Sequence, residues 1–381
     1  MSNKILTTLS MLSALALITA CEEPPKPTTT APTVAPTATQ TAKPEAEKPK
    51  VVTGEELAKN VQAWTKAWDT GDIEKLKTLS SPKVSYESVD ALPPMKTEGH
   101  EAMAKAHAMM KAAFSEMKNE VGLILVNGQD VAMLGSTHGK NDGELMGKPA
   151  TNKELNMPTG VVMTAGKDGK IESMREFMDQ GTFAAQLGLM PAEHAAHMRM
   201  SWDASRWGGT KVVVAKNDDT EKKNLALAKG WTANFNGHDV DKVMESYADD
   251  AQFIYAGHKE DVTGKEAIGK MLGEFYGMSS DVKSKVEQRW AAGDYVVSVY
   301  TLSGTNDGAM PGGGPPATNK SFEHQELEVT KVVDGKVAEQ WMFSNGYKMA
   351  VQLGLTPDPS AQAKAGDGDA ENKPATAPPA D

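Results

Sequence analysis

Removing a proton beside a carbonyl takes a base held at the substrate carbon in a dry pocket, where its pKa can move toward the working pH. Two side chains of this 381-residue chain merit weighing for such work. Strand alternation puts Arg175, Phe177 and Asp179 on one face. His138 ends the segment Gly135-Ser136-Thr137-His138 and shares a strand face with Ser136. A plainer role is open for each. Asp179 directly precedes a helical stretch through Phe183 and Leu187, where Asp is a favoured N-cap. A lone histidine at a strand end is commonly a hydrogen-bonded polar residue and nothing more.

The chain is written twice. KAWDTGDIEKL (66–76) aligns with ANFNGHDVDKV (233–243), and AAQLGL (184–189) with AVQLGL (350–355). DGKI (168–171) matches DGKV (334–337), and PATNK occurs at 149–153 and 316–320. Order and spacing persist, so one domain spans 54–190 and its duplicate 222–356, with 191–221 as connector. The second copy carries Asn345 at the Asp179 position and Asn306, in SGTN, at the His138 position. Asparagine orients a carbonyl by hydrogen bonds but cannot shuttle a proton, and it caps a helix as Asp does. Any proton transfer is therefore expected from the first copy.

Each copy opens with helices. Thr53-x-x-Glu56 reads as a capping box, followed by Leu57, Val61, Trp64 and Trp68 on one face; Leu225, Ala228, Trp231 and Phe235 repeat that face. A short helix, a strand (84–87 or 252–255) and a third helix opening at Gly99 or Gly264 come next. The remainder is β-rich, with Asp168-Gly169 and Asp334-Gly335 at hairpin turns. Helices followed by a meander predict an α+β fold: two tandem cone-shaped domains, each a curved antiparallel sheet wrapped around its N-terminal helices. Each cone is expected to enclose an apolar pocket lined by Trp64, Trp68, Arg175 and Phe177, or by Trp231, Trp341, Phe343 and Asn345. Core packing is the alternative for the tryptophans.

Other chemistry is sparse. A net charge of −11 argues against a nucleic-acid partner. The single cysteine excludes a disulfide framework and a Cys-rich zinc site. His194 and His197 lack the Cys or paired acids of a metal site. His324, in the alternating run SFEHQELEV with exposed acids opposite, reads as structural. The Gly-rich run 311–316 lacks the Lys-Ser/Thr pair of a phosphate loop and reads as a mobile rim.

YADDAQF (247–253), TGKEAIGKM (263–271), VDGKVAEQW (333–341) and the QLGL endings resemble the SnoaL-like polyketide cyclase family, within the nuclear transport factor 2-like and ketosteroid-isomerase-like superfamily. The resemblance implies a cone fold in both copies. It also implies an aldol-type cyclisation driven by the carboxylate seven residues before the Gln of QLG, here Asp179, with His138 at the end of its GTH-type strand. No metal or organic cofactor is implied. The superfamily hosts enzymes, binding modules and assembly domains, so fold alone does not choose among them.

Lys4, the apolar run 5–20 and Cys21 resemble a bacterial lipoprotein signal, with Cys21 as the lipidated first residue of the mature chain. Glu22, where inner-membrane lipoproteins often carry Asp, implies outer-membrane sorting. Residues 21–50 and 357–381 are rich in Pro, Thr and Ala and are expected to be disordered. Extended at about 3.1 Å per residue, the first of these spans about 90 Å, enough to hold a domain clear of a membrane. Three functions remain open: binding of a small apolar ligand by an envelope lipoprotein, a cofactor-independent cyclase or isomerase working through Asp179, and an assembly module whose halves dock as an internal pseudo-dimer.

Overall fold

A computed structural model describes residues 51–145 and 147–358. The signal-like segment, Cys21, the 21–50 linker and all but the first two residues of the 357–381 tail lie outside them. In the first half, α1 (Gly54–Thr70) and α2 (Ile73–Leu79) lead into β1 (Ser80–Ser88), β2 (Met95–Glu98) and α3 (Gly99–Ala113). Four long strands follow: β3 (Lys118–Asn127), β4 (Asp130–Lys140), β5 (Glu154–Ala165) and β6 (Ile171–Phe177), then α4 (Gln180–Gln186). The connector holds α5 (Ala192–Ala195) and β7 (Lys211–Val214). The second half repeats the plan with α6 (Asp219–Asn236), α7 (Val240–Met244), β8 (Tyr247–Tyr255), β9 (Val262–Thr263) and α8 (Lys265–Met278). It closes with β10 (Lys283–Ala292), β11 (Tyr295–Thr305), β12 (Ser321–Val333), β13 (Lys336–Ser344) and α9 (Gly346–Gln352).

The α+β architecture follows from local signals. Thr53 and Glu56 form the capping box at α1, whose Leu57, Val61 and Trp64 are buried at helical spacing, and Gly71 ends the helix at φ 73°. The sheets run β2-β1-β6-β5-β4-β3-β7 and β10-β11-β12-β13-β8-β9. They are mixed rather than purely antiparallel: β1 lies parallel to β6 and β8 parallel to β13, because a helical crossover separates each first strand from the meander it joins. Matching bulges fall at Val121/Leu123 and Val286/Gln288.

Strand alternation gives each sheet two apolar faces. In the first half, Ile124, Val126, Val131, Val161, Met163 and Met174 pack against Leu57, Val61 and Trp64 of α1 and Met103 of α3. The alternate residues, among them Leu125, Leu134, Val162 and Phe177, share one core with Val297, Leu327, Val329, Trp341 and Phe343 of the second half. The halves thus join sheet to sheet inside a single compact unit. Gly160 permits the contact: a Cβ there would lie 2.8 Å from Leu327 and 2.9 Å from Phe343. The connector seals the seam, with Trp207 stacked on Trp341 at 4.5 Å and Arg206 4.8 Å from the rings of both Trp202 and Trp341.

Candidate functional site

Asp179 is the N-cap of α4 and is buried. Its Oδ2 accepts from the Thr182 N–H and hydroxyl, both at 2.8 Å. It also accepts backbone N–H bonds from Gly181 and from Tyr347 in the second half. Burial pushes its carboxyl above the ordinary range, and these donors pull it part of the way back. The carboxylate lies against Gly257 and Gly346, whose Cβ positions fall 3.1 and 3.6 Å from it. Asn345 caps nothing in its own helix. Its Oδ1 accepts from the Gln180 N–H at 3.2 Å, and its Nδ2 donates to the Asp90 carbonyl at 2.9 Å and to Gln180 Oε1 at 2.8 Å.

The other expected pocket residues divide by strand parity. Arg175 donates to Gln325 of the second half at 2.8 Å, and Phe177, Trp341 and Phe343 fill the shared core. With Asp179 and Asn345, these residues face the opposite half, not the interior of their own cones. The inward residues of β6 are Met174 and Glu176, one step out of phase with the face read from the sequence. Trp64, Trp68 and Trp231 do pack inside their cones.

His138 makes its contacts on that outer side, with Ser136 Oγ at 2.9 Å and Glu120 at 3.5 Å. The expected equivalence of His138 with Asn306 gives way to the strand register. His138 pairs with Lys118 as Ser303 pairs with Lys283, so Ser303 is its counterpart. Asn306 corresponds to Asn141 instead. Asn141 donates to the Ala113 and Gly143 carbonyls and accepts from the Thr151 N–H at 2.8 Å. Asn306 does the same with Met278, Gly308 and Thr318. The similarity of GSTH to SGTN is a slip of three residues, since both asparagines are loop braces.

Inside the first cone, Trp64, Trp68, Val84, Tyr86, Met103 and Met174 line a cleft of about 20 Å³. Trp64 and Trp68 stack at 5.3 Å. The Trp64 indole N–H is buried and has no hydrogen-bond partner, as is also true of Trp202, Trp207 and Trp290; of these four, Trp64 is the one lining this cleft. The Tyr86 hydroxyl donates to Glu176. Burial pushes the Glu176 carboxyl up, and the Tyr86 bond lowers it in part. The cleft admits about one water, well short of a site for a ring system. Ligand entry therefore requires α3 or the pliant Met103 and Met174 to give way.

The second cone buries more polar groups than the first. Val161 pairs with Glu176 and Glu328 with Met342, which fixes the correspondence of β5 with β12. Met157, Thr159, Val161 and Met163 of the first half become His324, Glu326, Glu328 and Thr330, all buried. Glu328 accepts from Gln340 Nε2 at 2.7 Å and from the Thr330 hydroxyl at 3.1 Å. Trp231 Nε1 donates to the Tyr247 hydroxyl at 3.1 Å, and Tyr247 donates on to Gln340. Burial raises the Glu328 carboxyl against the pull of Gln340 and Arg289. Trp231, Tyr247, Glu328 and Gln340 border a cavity of about 10 Å³. Of the acids expected to lie exposed opposite His324, Glu323 is exposed, but Glu326 and Glu328 share the His324 face and are buried. Residues 324, 326 and 328 share one strand face, and Leu327 and Val329 on the other face turn that row inward.

Comparison with known proteins follows the repeat. The SnoaL-like polyketide cyclase family model matches residues 58–187 and again 226–353, more than half of the chain. Among solved structures, a protein of Jannaschia sp. CCS1 assigned as a SnoaL-like polyketide cyclase is 20% identical over 37% of this chain and 97% of its own, with a TM-score of 0.34. AclR of Streptomyces galilaeus, assigned as a hydroxylase, is 23% identical over 39% and 93%, with a TM-score of 0.35. IdmH of Streptomyces antibioticus, assigned as a polyketide cyclase, is 23% identical over 34% and 98%, with a TM-score of 0.30. No curated protein matches the chain significantly. Helices packed inside each curved sheet, and a family model matched once per half, lead to one conclusion: the chain belongs to the SnoaL-like polyketide cyclase family, as two tandem copies.

Proposed function

We propose that the protein binds a small apolar molecule carrying one hydrogen-bond acceptor, such as an aromatic ketone, in the first-half cleft between α1 and α3. The supporting observation is the Trp64 N–H, a buried donor without a partner in a residue that lines an aromatic and methionine-rich cleft. A carbonyl oxygen would satisfy it, and Trp68, Met103 and Met174 would cover the ring. Titration of the full chain with 1-acetonaphthone, followed by tryptophan fluorescence, tests this. Trp64→Phe keeps the ring and removes the N–H, so affinity should fall about fivefold to tenfold, the worth of one neutral hydrogen bond. Unchanged affinity would remove the assignment.

A second reading is proton transfer at the same cleft. It is favoured by Glu176, whose carboxyl burial lifts above its ordinary range and whose partner Tyr86 lines the cleft. On this reading Glu176, not Asp179, would be the general acid/base of a cyclase or isomerase, since Asp179 is committed to capping and to the other half. Glu176→Gln should then abolish any turnover that Asp179→Asn leaves in place.

The sheet-to-sheet joint supports treating the halves as an internal pseudo-dimer that holds the two cones in fixed register. The lipoprotein-like start supports an envelope protein anchored through Cys21 in the outer membrane. Cys21→Ala should move the protein from the membrane fraction to the soluble fraction. Persistence in the membrane would exclude that anchor.

A further inference from the structure

The two halves are each other's control. The same inward row of the same strand is Met157, Thr159, Val161 and Met163 in the first half and His324, Glu326, Glu328 and Thr330 in the second. The first half fills three of these four positions with apolar side chains and buries one carboxylate, Glu176, opposite Val161. The second buries two carboxylates and an imidazole along the row. Each such group costs free energy that an apolar side chain does not. Packing alone therefore gives no reason for the polar row.

His324 is the member with chemistry left over. Its Nε2 lies 2.9 Å from Glu326 Oε1, with the two side chains only 3% and 6% exposed. The Tyr300 hydroxyl bonds the same carboxylate. In the neutral imidazole with Nε2–H facing the carboxylate, Nδ1 is an acceptor. That Nδ1 is buried and has no partner. Leu302 lies opposite on β11 and the Phe322 ring 6.1 Å away. The cavity beside Trp231 and Glu328 does not reach His324, so a guest enters only as Met278, Met310 and Met349 of the same half's core repack. An oriented, apolar-walled acceptor without a donor is the complement of a hydroxyl.

We propose that the second cone is a separate small-molecule site, taking a neutral ring compound with a single hydroxyl that donates to His324 Nδ1. Glu326 is its positioning residue, fixing the ring tautomer. The site does not depend on the Trp64 cleft and asks for the opposite ligand chemistry, a donor where the first half asks for an acceptor.

The test uses phenol and its methyl ether anisole, which differ in the donor, on the full chain by ligand-observed NMR. Wild type should bind phenol at least tenfold more tightly than anisole. His324→Phe should abolish that preference, Glu326→Gln should reduce it, and Trp64→Phe should leave it intact. Equal binding of the two probes, no phenol binding, or a preference that survives His324→Phe would each overturn the proposal. Should His324→Phe fail to fold, the ¹⁵N resonance of His324 Nδ1 in wild type decides. It should shift on phenol saturation as the nitrogen accepts a bond, and an unmoved resonance overturns the site. Loss of the phenol preference in Trp64→Phe would reassign the binding to the first half.

Discussion

Asp179 and Asn345 cap each other's helices. Asp179 accepts the Tyr347 N–H at the start of α9, and Asn345 accepts the Gln180 N–H at the start of α4. Residues at the same place in the repeat therefore act across the joint between halves. An acid and its amide both serve as acceptors there, and the amide of Asn345 adds donation to the Asp90 carbonyl and to Gln180 Oε1.

Removing Asp179 leaves N–H groups unpaired at the starts of both α4 and α9, whereas removing Asn345 unpairs the Gln180 N–H at the start of α4 alone. Asp179→Ala should destabilise the protein by about 2–3 kcal/mol and Asn345→Ala by about 1–2 kcal/mol, measured by chemical denaturation. The effects should be non-additive in the double variant, because the two residues share one set of helix ends. Strict additivity would mean that each acts only within its own half.

Burial raises the carboxyls of Glu176, Asp179 and Glu328. Each binds its proton more tightly folded than unfolded. Their contribution to stability is therefore complete below the ordinary carboxylate range near pH 4 and is lost as pH rises through the folded values. The buried His258 imidazole, held down to about 4, adds stability over the same interval as pH rises toward its ordinary 6.5. The signature is therefore differential: the melting temperature of Glu328→Gln relative to wild type should rise as pH climbs above the ordinary carboxylate range. A difference between the two proteins that stays constant or falls with pH would contradict the burial of Glu328.

Gly122 lies under the connector: a Cβ there would fall 2.0 Å from the Trp207 ring. Gly122→Ala should displace Trp207 from Trp341, costing about 1–3 kcal/mol through overpacking and altering the near-ultraviolet circular dichroism of the stacked pair. An unchanged spectrum with full stability would show that the strap is loose.

The repeat, the capping box and the hairpin turns were legible in the sequence because each is local. The inward face of β6 was not. Arg175, Phe177 and Asp179 and the alternate pair Met174 and Glu176 both alternate plausibly, and a sheet with two apolar faces gives alternation no preferred side. The exchange of caps needs the relative placement of the halves, which no pattern within one copy carries. The His324, Glu326 and Glu328 row was within reach. Its residues are two apart, and their apolar neighbours Leu327 and Val329 announce a strand buried on both faces.

The central claim is that the first cone recognises its ligand through an indole N–H held without a partner. The most direct measurement is the ¹H–¹⁵N spectrum of the seven tryptophan indoles during titration with 1-acetonaphthone. The Trp64 signal should move downfield and saturate with the fluorescence change, while the Trp231 signal, already bonded to Tyr247, stays in place. A saturable fluorescence change with the Trp64 indole resonance unmoved would contradict it.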